Sequence, residues 1–332
     1  MFTQLKKIVM PMGVSGDEGD ISAVLAAEIA PYVDKVYNDA LGNLIAFKKG
    51  KGKKPKKLMF AAHMDEIGFM ANYIDEKGFI RVSRLGGINY QAASFSEVVF
   101  KNGTKGVLVP EARIFQREYR PENYFVDIGA KSRKDAMRRV KIGDTCRVAP
   151  QLFKLAGSRV AGRPIDDRIG CMMLVEAAKA AESFENDTYF VFTVQEEVGV
   201  RGAKTSAFAI APDYAVAVDI GGAGDMPSCA PLAVNLGDGI AIKLKDAMVI
   251  CNPKMIAMMK EIAEEGRIAY QTEILEGGGT DTCMLQQAAG GCIAGALSVP
   301  TRYGHSAVEV IDMNDVAGGI RILAGLCQKK LD

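Results

Sequence analysis

The chain is short of several things, and each shortage excludes something. It has no tryptophan and two histidines, and its 41 basic residues are matched by 40 acidic ones, for a net charge of +1. A strongly basic nucleic-acid binder and an acidic disordered chain both depend on charge excess, so no nucleic-acid partner is expected. No apolar run approaches the roughly 20 residues needed to span a bilayer, so no membrane partner is expected either. Met1–Asp20 lacks a basic head leading into a long apolar stretch, and no signal peptide is expected. The seven cysteines are scattered, with no Cys-x-x-Cys pair among them. That argues against a disulfide framework and a thiolate zinc site, and for a reducing, cytoplasmic setting.

What is present suits an ordinary globular protein. At 332 residues, 48% hydrophobic and 24% charged, the chain has the length of about two domains of roughly 150 residues. Ser15-Gly-Asp-Glu18 has the spacing of a capping box ahead of a periodic apolar stretch, Ile21–Val33, and predicts a helix with Ser15 as N-cap. Lys48–Lys57 holds seven lysines broken by Gly50, Gly52 and Pro55. An anion patch is one reading; the plainer one is a solvated hairpin between Leu44–Phe47 and Leu58–Ala62.

From about Gly68 to Arg159 short β-type runs alternate with turn signals, and one helix, Ser132–Val140, interrupts them. This predicts a small β-barrel or sandwich. After Gly162 apolar strands alternate with helices: Ile169–Ala181 helical, Thr188–Val194 extended, Ala203–Ala209 helical, Tyr214–Val218 extended. Pro253–Glu265 helical, Cys292–Val299 extended and Met313–Lys329 helical complete the series. The expected fold is α/β: a mixed sheet flanked by helices, built from residues 1–67 and 160–332, with a small β-barrel domain inserted at 68–159.

Four of the apolar strands end in a carboxylate or an imidazole. Leu58–Ala62 runs into His63-Met-Asp65, Thr188–Val194 into Gln195-Glu196-Glu197, Tyr214–Val218 ends on Asp219, and Ala294–Val299 is followed by His305. Open α/β sheets bind ligands beyond the carboxyl ends of their strands. In His63-x-Asp65 the two side chains share a face, so the carboxylate can fix the imidazole tautomer and free one nitrogen for a metal. A surface histidine with an incidental neighbour has the same spacing. Two adjacent glutamates serve one site only if the chain turns, which Val198-Gly199 permits; one can then bind metal while the other handles a proton. Asp166-Asp167-Arg168, where the insert rejoins the sheet, is either an ion-pair loop or the source of a bridging carboxylate. Two histidines and four or five carboxylates without cysteine suit Zn²⁺, Co²⁺ or Mn²⁺, in a number that fits two metals.

The ordered set His63-Met-Asp-Glu-Ile-Gly68, Asp166-Asp-Arg-Ile-Gly170, Gln195-Glu-Glu-Val-Gly199, Val218-Asp219, Gly278-Gly-Thr-Asp281 and Arg302-Tyr-Gly-His305-Ser resembles the M42 family of metallo-aminopeptidases. These are the glutamyl and deblocking aminopeptidases, many of which build tetrahedral particles. The resemblance runs from Met12-Gly-Val-Ser-Gly16 to the C-terminus. It implies a zinc-peptidase-like catalytic domain holding two divalent ions, with His63 and Asp219 on one, Glu197 and His305 on the other, and Asp166 bridging. It implies a cis Asp166–Asp167 peptide, Asp65 orienting His63, and Glu196 as general base on a metal-bridging water. Gly278, Gly279, Thr280, Asp281 and Arg302 would bind substrate, the glycines as a tight turn lining its pocket. The substrates would be small peptides, and the partner a second copy, in a dimer or a dodecamer, paired through the insert. Around Asn89–Glu97 and Pro110–Glu118 the insert lacks the Gly-Gln-Arg and Pro-Pro-His patterns of typical members.

Three other functions fit parts of the same residues. A two-metal dipeptidase or deacylase needs a cationic clamp, for which Arg163, Arg168 and Arg302 are candidates. A glycosidase needs two carboxyls about 5–9.5 Å apart across a sugar and leaves the histidines idle. An inactive scaffold would have lost the base or a ligand, and Glu196, Asp65 and all five ligands are present.

Overall fold

The computed structural model describes residues 1–111, 123–227, 229 and 231–332. The first part holds α1 (Phe2–Val9), α2 (Gly19–Ile29), a 3₁₀ turn (Ala30–Tyr32), β1 (Lys35–Asn38), β2 (Leu44–Lys48) and β3 (Lys57–His63). The middle holds β4 (Gly68–Ile74), β5 (Ile80–Leu85), α3 (Tyr90–Ala93), β6 (Glu97–Phe100), β7 (Lys105–Pro110), β8 (Tyr124–Asp127), α4 (Arg133–Ala136) and β9 (Thr145–Val148). The chain continues through β10 (Gln151–Lys154), β11 (Arg159–Arg163), α5 (Arg168–Ala180), β12 (Asp187–Thr193), α6 (Arg201–Ile210), β13 (Tyr214–Gly222) and β14 (Ile240–Lys245). Last come α7 (Pro253–Glu265), β15 (Tyr270–Ile274), α8 (Thr282–Gln286), β16 (Ile293–Arg302), β17 (Glu309–Asp312) and α9 (Met313–Gln328). Among the described residues no helix is long and apolar enough to cross a membrane.

Eleven strands form one mixed sheet in the order β1-β2-β12-β3-β13-β16-β17-β11-β10, with β14 pairing β16 and β15. Its centre, β12-β3-β13-β16, is parallel. Such strands must bury both faces, and β3 shows how. Leu58, Phe60 and Ala62 face a core with Ile169, Met172, Leu323 and Leu326 of α5 and α9. Met59 and Ala61 face a second core with Ala203, Ala207 and Leu285 of α6 and α8. The helices begin where their sequences supply caps: Asp167 for α5, Asn252 followed by Pro253 for α7, and Asp312 for α9. The mixed, helix-flanked sheet is thus the expected one.

Six antiparallel strands, β4-β5-β8-β7-β6-β9, close a barrel around Phe69, Val98, Phe100, Leu108, Tyr124, Val126 and Cys146. The last barrel strand ends at Val148. Of the segment 68–159, β10 already pairs with β11 in the large sheet. Of the Pro110–Glu118 stretch, residues 112–118 lie outside the described residues.

Three local expectations are corrected. The lysine-rich loop is no hairpin, because β12 lies between β2 and β3: Phe190 faces Ala46 antiparallel and Phe60 parallel. The loop instead runs along residues 184–187, with the amides of Lys51 and Gly52 on the carbonyls of Phe184 and Glu185 and that of Gly50 on the Asp187 carboxylate. Ser15 caps no helix. α2 starts at Gly19, and Ser15 Oγ donates to Asp65 Oδ2 at 2.6 Å while Glu18 Oε1 accepts the Gly16 and Gln195 amides. The helix expected over Ser132–Val140 is confined to α4, which Ser132 does cap.

Candidate functional site

The parallel centre delivers its polar residues to one end of the sheet. His63 is the last residue of β3 and lies level with Thr193, the last of β12. Glu196 and Glu197 follow three and four residues after Thr193, past a turn in which Gln195 takes φ 55°. Asp219 stands in β13 level with Ser298 of β16, and His305 lies in the loop joining β16 to β17. Asp166 and Asp167, joined by a cis peptide bond, arrive between β11 and α5.

Asp166 lies between the two imidazoles. Its Oδ1 is 3.1 Å from His63 Nε2 and its Oδ2 is 3.1 Å from His305 Nε2. His63 Nε2 is also 3.8 Å from Asp219 Oδ1, and His305 Nε2 is 3.6 Å from Glu197 Oε2. The outer nitrogens are held from behind. His305 Nδ1 lies 2.9 Å from the Gly87 carbonyl in the β5–β6 connection. His63 Nδ1 is 3.1 Å from the Asp65 carbonyl and 3.5 Å from its carboxylate. The Asp65 carboxylate is fully buried and also accepts the Ser15 hydroxyl and the amides of Glu196 and Glu197. One side chain therefore fixes the histidine and the paired glutamates together.

Proton affinities reflect the crowding. Burial pushes the carboxyls of Glu196 and Asp167 well above their ordinary range, and the Asp219 charge adds to both. Burial, with the Asp166 charge, pushes Glu197 up to about 8. Asp219 is pushed by burial to about 7 although His63 and Lys243 pull it down. Asp166 is displaced the other way: hydrogen bonds from His305 and His63 outweigh burial and hold it well below the usual range. The bond to Asp166 pushes His305 up to about 10. Five clustered acids, with Asp166, Asp167 and Asp219 buried and Glu196 and Glu197 partly so, against two imidazoles make an arrangement that cations complete, since each positive charge lets more of the carboxylates ionise.

The donor set fits divalent metal. Ligand atoms of His63, Asp167 and Asp219 lie within 4.8 Å of one another, as do those of His63, Asp166 and Glu197. They are nitrogen and oxygen donors with no thiolate among them, as Zn²⁺, Co²⁺ or Mn²⁺ accept. Asp167 is an addition to the predicted set. Its Oδ1 caps α5 through the Gly170 amide, and its Oδ2 is buried with no hydrogen-bond partner among the described residues.

A cavity of about 690 Å³ opens beside these groups, lined by His63, Asp166, Glu196, Glu197, Asp219 and His305 and by Gly278, Gly279 and Thr280. Asp281 is buried beside it and accepts the Thr193 hydroxyl. Arg302 is outside the lining and holds Asp225 through two hydrogen bonds. Arg163 donates to the Ser306 and Ile67 carbonyls, and Arg168 is fully buried on Glu66 and the Ile8 carbonyl. The three arginines are thus spent on the protein itself. Two further residues join the site unpredicted. Lys243 lines the cavity, and Glu309, 1% exposed, accepts the amides of Ile165, Asp166 and His305. Lys243 is a charged residue inside the largely apolar β14 and Glu309 opens β17; both are buried, which requires partners for their charges.

A profile of the M42 glutamyl aminopeptidase family matches residues 42–322. A protein of Acetivibrio thermocellus provisionally named an aminopeptidase is 46% identical, the match covering 97% of each chain. The solved structure of aminopeptidase APDkam598 from the archaeon Desulfurococcus kamchatkensis is 33% identical and superposes with a TM-score of 0.95 over 99% of this chain and 94% of that one. The Pyrococcus horikoshii TET1 peptidase, described as assembling into a tetrahedron or a large octahedral shell, is 34% identical, with a TM-score of 0.87 over 98% of both chains.

Proposed function

Because the chain belongs to the M42 family of metallo-aminopeptidases, we propose that it is a two-metal aminopeptidase that removes the N-terminal residue of small peptides. His63 and Asp219 would hold one divalent ion, Glu197 and His305 the other, and Asp166 would bridge them; Zn²⁺ and Co²⁺ suit these donors best, Mn²⁺ next. Two such ions, when bound, polarise the scissile carbonyl and lower the pKa of the attacking water. Asp167 is placed to support the first ion through its unpartnered oxygen.

The chain's own residues supply the proton handling. Glu196 lines the cavity, and the Asp65 carboxylate fixes its amide at 2.9 Å, so its side chain stands at a set position beside the ligands. It takes the proton from the attacking water and passes it to the leaving amine. Burial raises its proton affinity, which favours the acceptance step. Asp65 acts as a positioning residue for His63. Gly278, Gly279 and Thr280 border the bound peptide.

The observation that carries this reading is the Asp166 carboxylate, whose two oxygens each face a histidine at 3.1 Å. The dipeptidase alternative has less support, because Arg163, Arg168 and Arg302 already serve main-chain carbonyls or other carboxylates. The likeness to an assembling TET1 peptidase supports self-association; the dimer or dodecamer would pair through the segment 68–159, which would also govern substrate access. The free cysteines, six of seven buried, suit a reducing compartment such as the cytoplasm.

The test is a panel of aminoacyl chromogenic substrates, with an N-blocked and a cellulosic control, run after chelation and after adding back Zn²⁺ or Co²⁺. Release from the free-amine substrates should require metal. Substantial activity in metal-free protein, or cleavage of the cellulosic substrate alone, overturns the proposal.

A further inference from the structure

The cavity wall restricts which peptides the site accepts. Resting on the aminopeptidase reading above, we propose that the chain selects uncharged, apolar N-terminal side chains, of leucine or methionine type, over acidic and basic ones. Outside the proposed ligands and base, the described lining holds one charged group, Lys243. Val200, Ile220, Met226, Leu232, Met248 and Leu275 supply the apolar surface around it.

Lys243 is not free to receive a substrate carboxylate. Its Nζ lies 3.2 Å from Asp246 Oδ2 and 3.2 Å from Glu273 Oε2, and all three residues are buried. Two carboxylates on one ammonium leave no positive charge to attract a glutamyl side chain, and admitting one would separate a buried ion pair. Basic side chains fare no better. Asp166, Asp219, Glu196 and Glu197 are the lining acids, and all belong to the proposed centre; Asp246 and Glu273 face Lys243 and do not line the cavity. A charged side chain would lose its hydration against this wall without a partner, whereas an apolar one gains by burial.

The glycine run after β15 shapes the same wall. A Cβ at Gly279 would come within 2.2 Å of Met248 Sδ, so the bare backbone there lets the methionine lie against it. An unbranched, adaptable thioether in that position accommodates apolar side chains of different shapes.

The test uses the full chain loaded with Zn²⁺ or Co²⁺ and the 4-nitroanilides of leucine, methionine, glutamate and lysine. kcat/KM for the leucyl and methionyl substrates should exceed the other two by roughly tenfold or more. A glutamyl or lysyl substrate turned over equally well or better overturns the inference. Met248→Lys, at a half-exposed position, adds an unpaired cation to the wall and should raise the glutamyl-to-leucyl ratio about tenfold. That ratio does not depend on the fraction of folded variant, and an unchanged ratio overturns the role given to this wall. If none of the four is cleaved, the aminopeptidase reading fails, and calorimetric titration with free leucine, glutamate and lysine decides the inference separately. Preferential leucine binding sustains it; preference for a charged amino acid, or none for any, ends it.

Discussion

Glu309 and Asp166 are joined through the backbone: Glu309 Oε2 accepts the Asp166 amide at 3.2 Å, while its Oε1 accepts the His305 amide at 3.3 Å. One buried carboxylate thereby sets the spacing of a proposed bridging ligand and a proposed terminal one. Glu309→Gln replaces one acceptor oxygen by a donor and leaves an amide facing another N–H, at a cost of about 1–3 kcal/mol. The variant should unfold at lower temperature and bind Zn²⁺ roughly tenfold more weakly. Calorimetry and metal titration check the two effects; undiminished metal affinity would mean that Glu309 only supports the fold.

Glu196 and Glu197 are adjacent in sequence but have different proposed duties. Glu196→Gln should keep its metal and lose roughly a hundredfold or more in turnover. Glu197→Gln should lose metal. Metal analysis beside steady-state kinetics separates them, and the reverse pattern would exchange the two roles.

Ser15→Ala removes the 2.6 Å hydroxyl bond to the buried Asp65 carboxylate. The loss should destabilise the protein by about 1–3 kcal/mol in urea unfolding. It should also lower kcat with little change in KM, because Asp65 positions His63 and the paired glutamates and touches no substrate. A pure KM effect would contradict that role.

Glu18 gives a pH signature. Burial pushes its carboxyl from 4.5 to about 7, against the Gly16 and Gln195 amides that pull it down, and the Asp65 charge adds to the rise. The folded protein then holds this proton more tightly than the unfolded chain does. The contribution to stability is complete below about pH 4.5 and is lost as pH rises through about 7. In metal-free protein, Glu18→Gln should therefore gain on the wild type between these values, by on the order of 2 kcal/mol. Urea unfolding of both proteins at pH 5, 6, 7 and 8 measures the difference; a flat one shows Glu18 ionised throughout. Lys101 and Asp65 are the charged groups coupled to it.

The parallel strands and their terminal acids were legible because a strand buried on both faces must be a continuous apolar run, and polar residues at its end stand out. Pro253–Glu265 was legible to the residue, since Asn252 and Pro253 announce a start by local chemistry alone. Ser15 and Glu18 carried the same kind of signature and misled. Their side chains are taken by Asp65 and by the Gln195 amide, partners 50 and 177 residues away, which no local spacing reveals. The lysine-rich loop misled for a related reason: nothing in Leu44–Phe47 or Leu58–Ala62 states that β12 will pass between them. In Asp166-Asp167 the sequence does not say that both acids can serve as ligands; only the buried, unpartnered Oδ2 sets Asp167 apart among the described residues. Lys243 and Glu309 were not legible, because Lys243 shares β14 with Lys245 and Glu309 shares β17 with Asp312, and nothing in those spacings shows which charged side chain turns inward.

The barrel closes on itself, each of its six strands hydrogen-bonded on both sides. Among the described residues, closure leaves the barrel without a free edge strand. If the segment 68–159 does join copies of this chain, the joint must be made by side chains and loop tips, and not by adding strand to strand. Recognition between copies would then be written in the barrel's surface residues. Those can change without disturbing the ladder beneath, so relatives with one barrel geometry are free to differ in the particles they build.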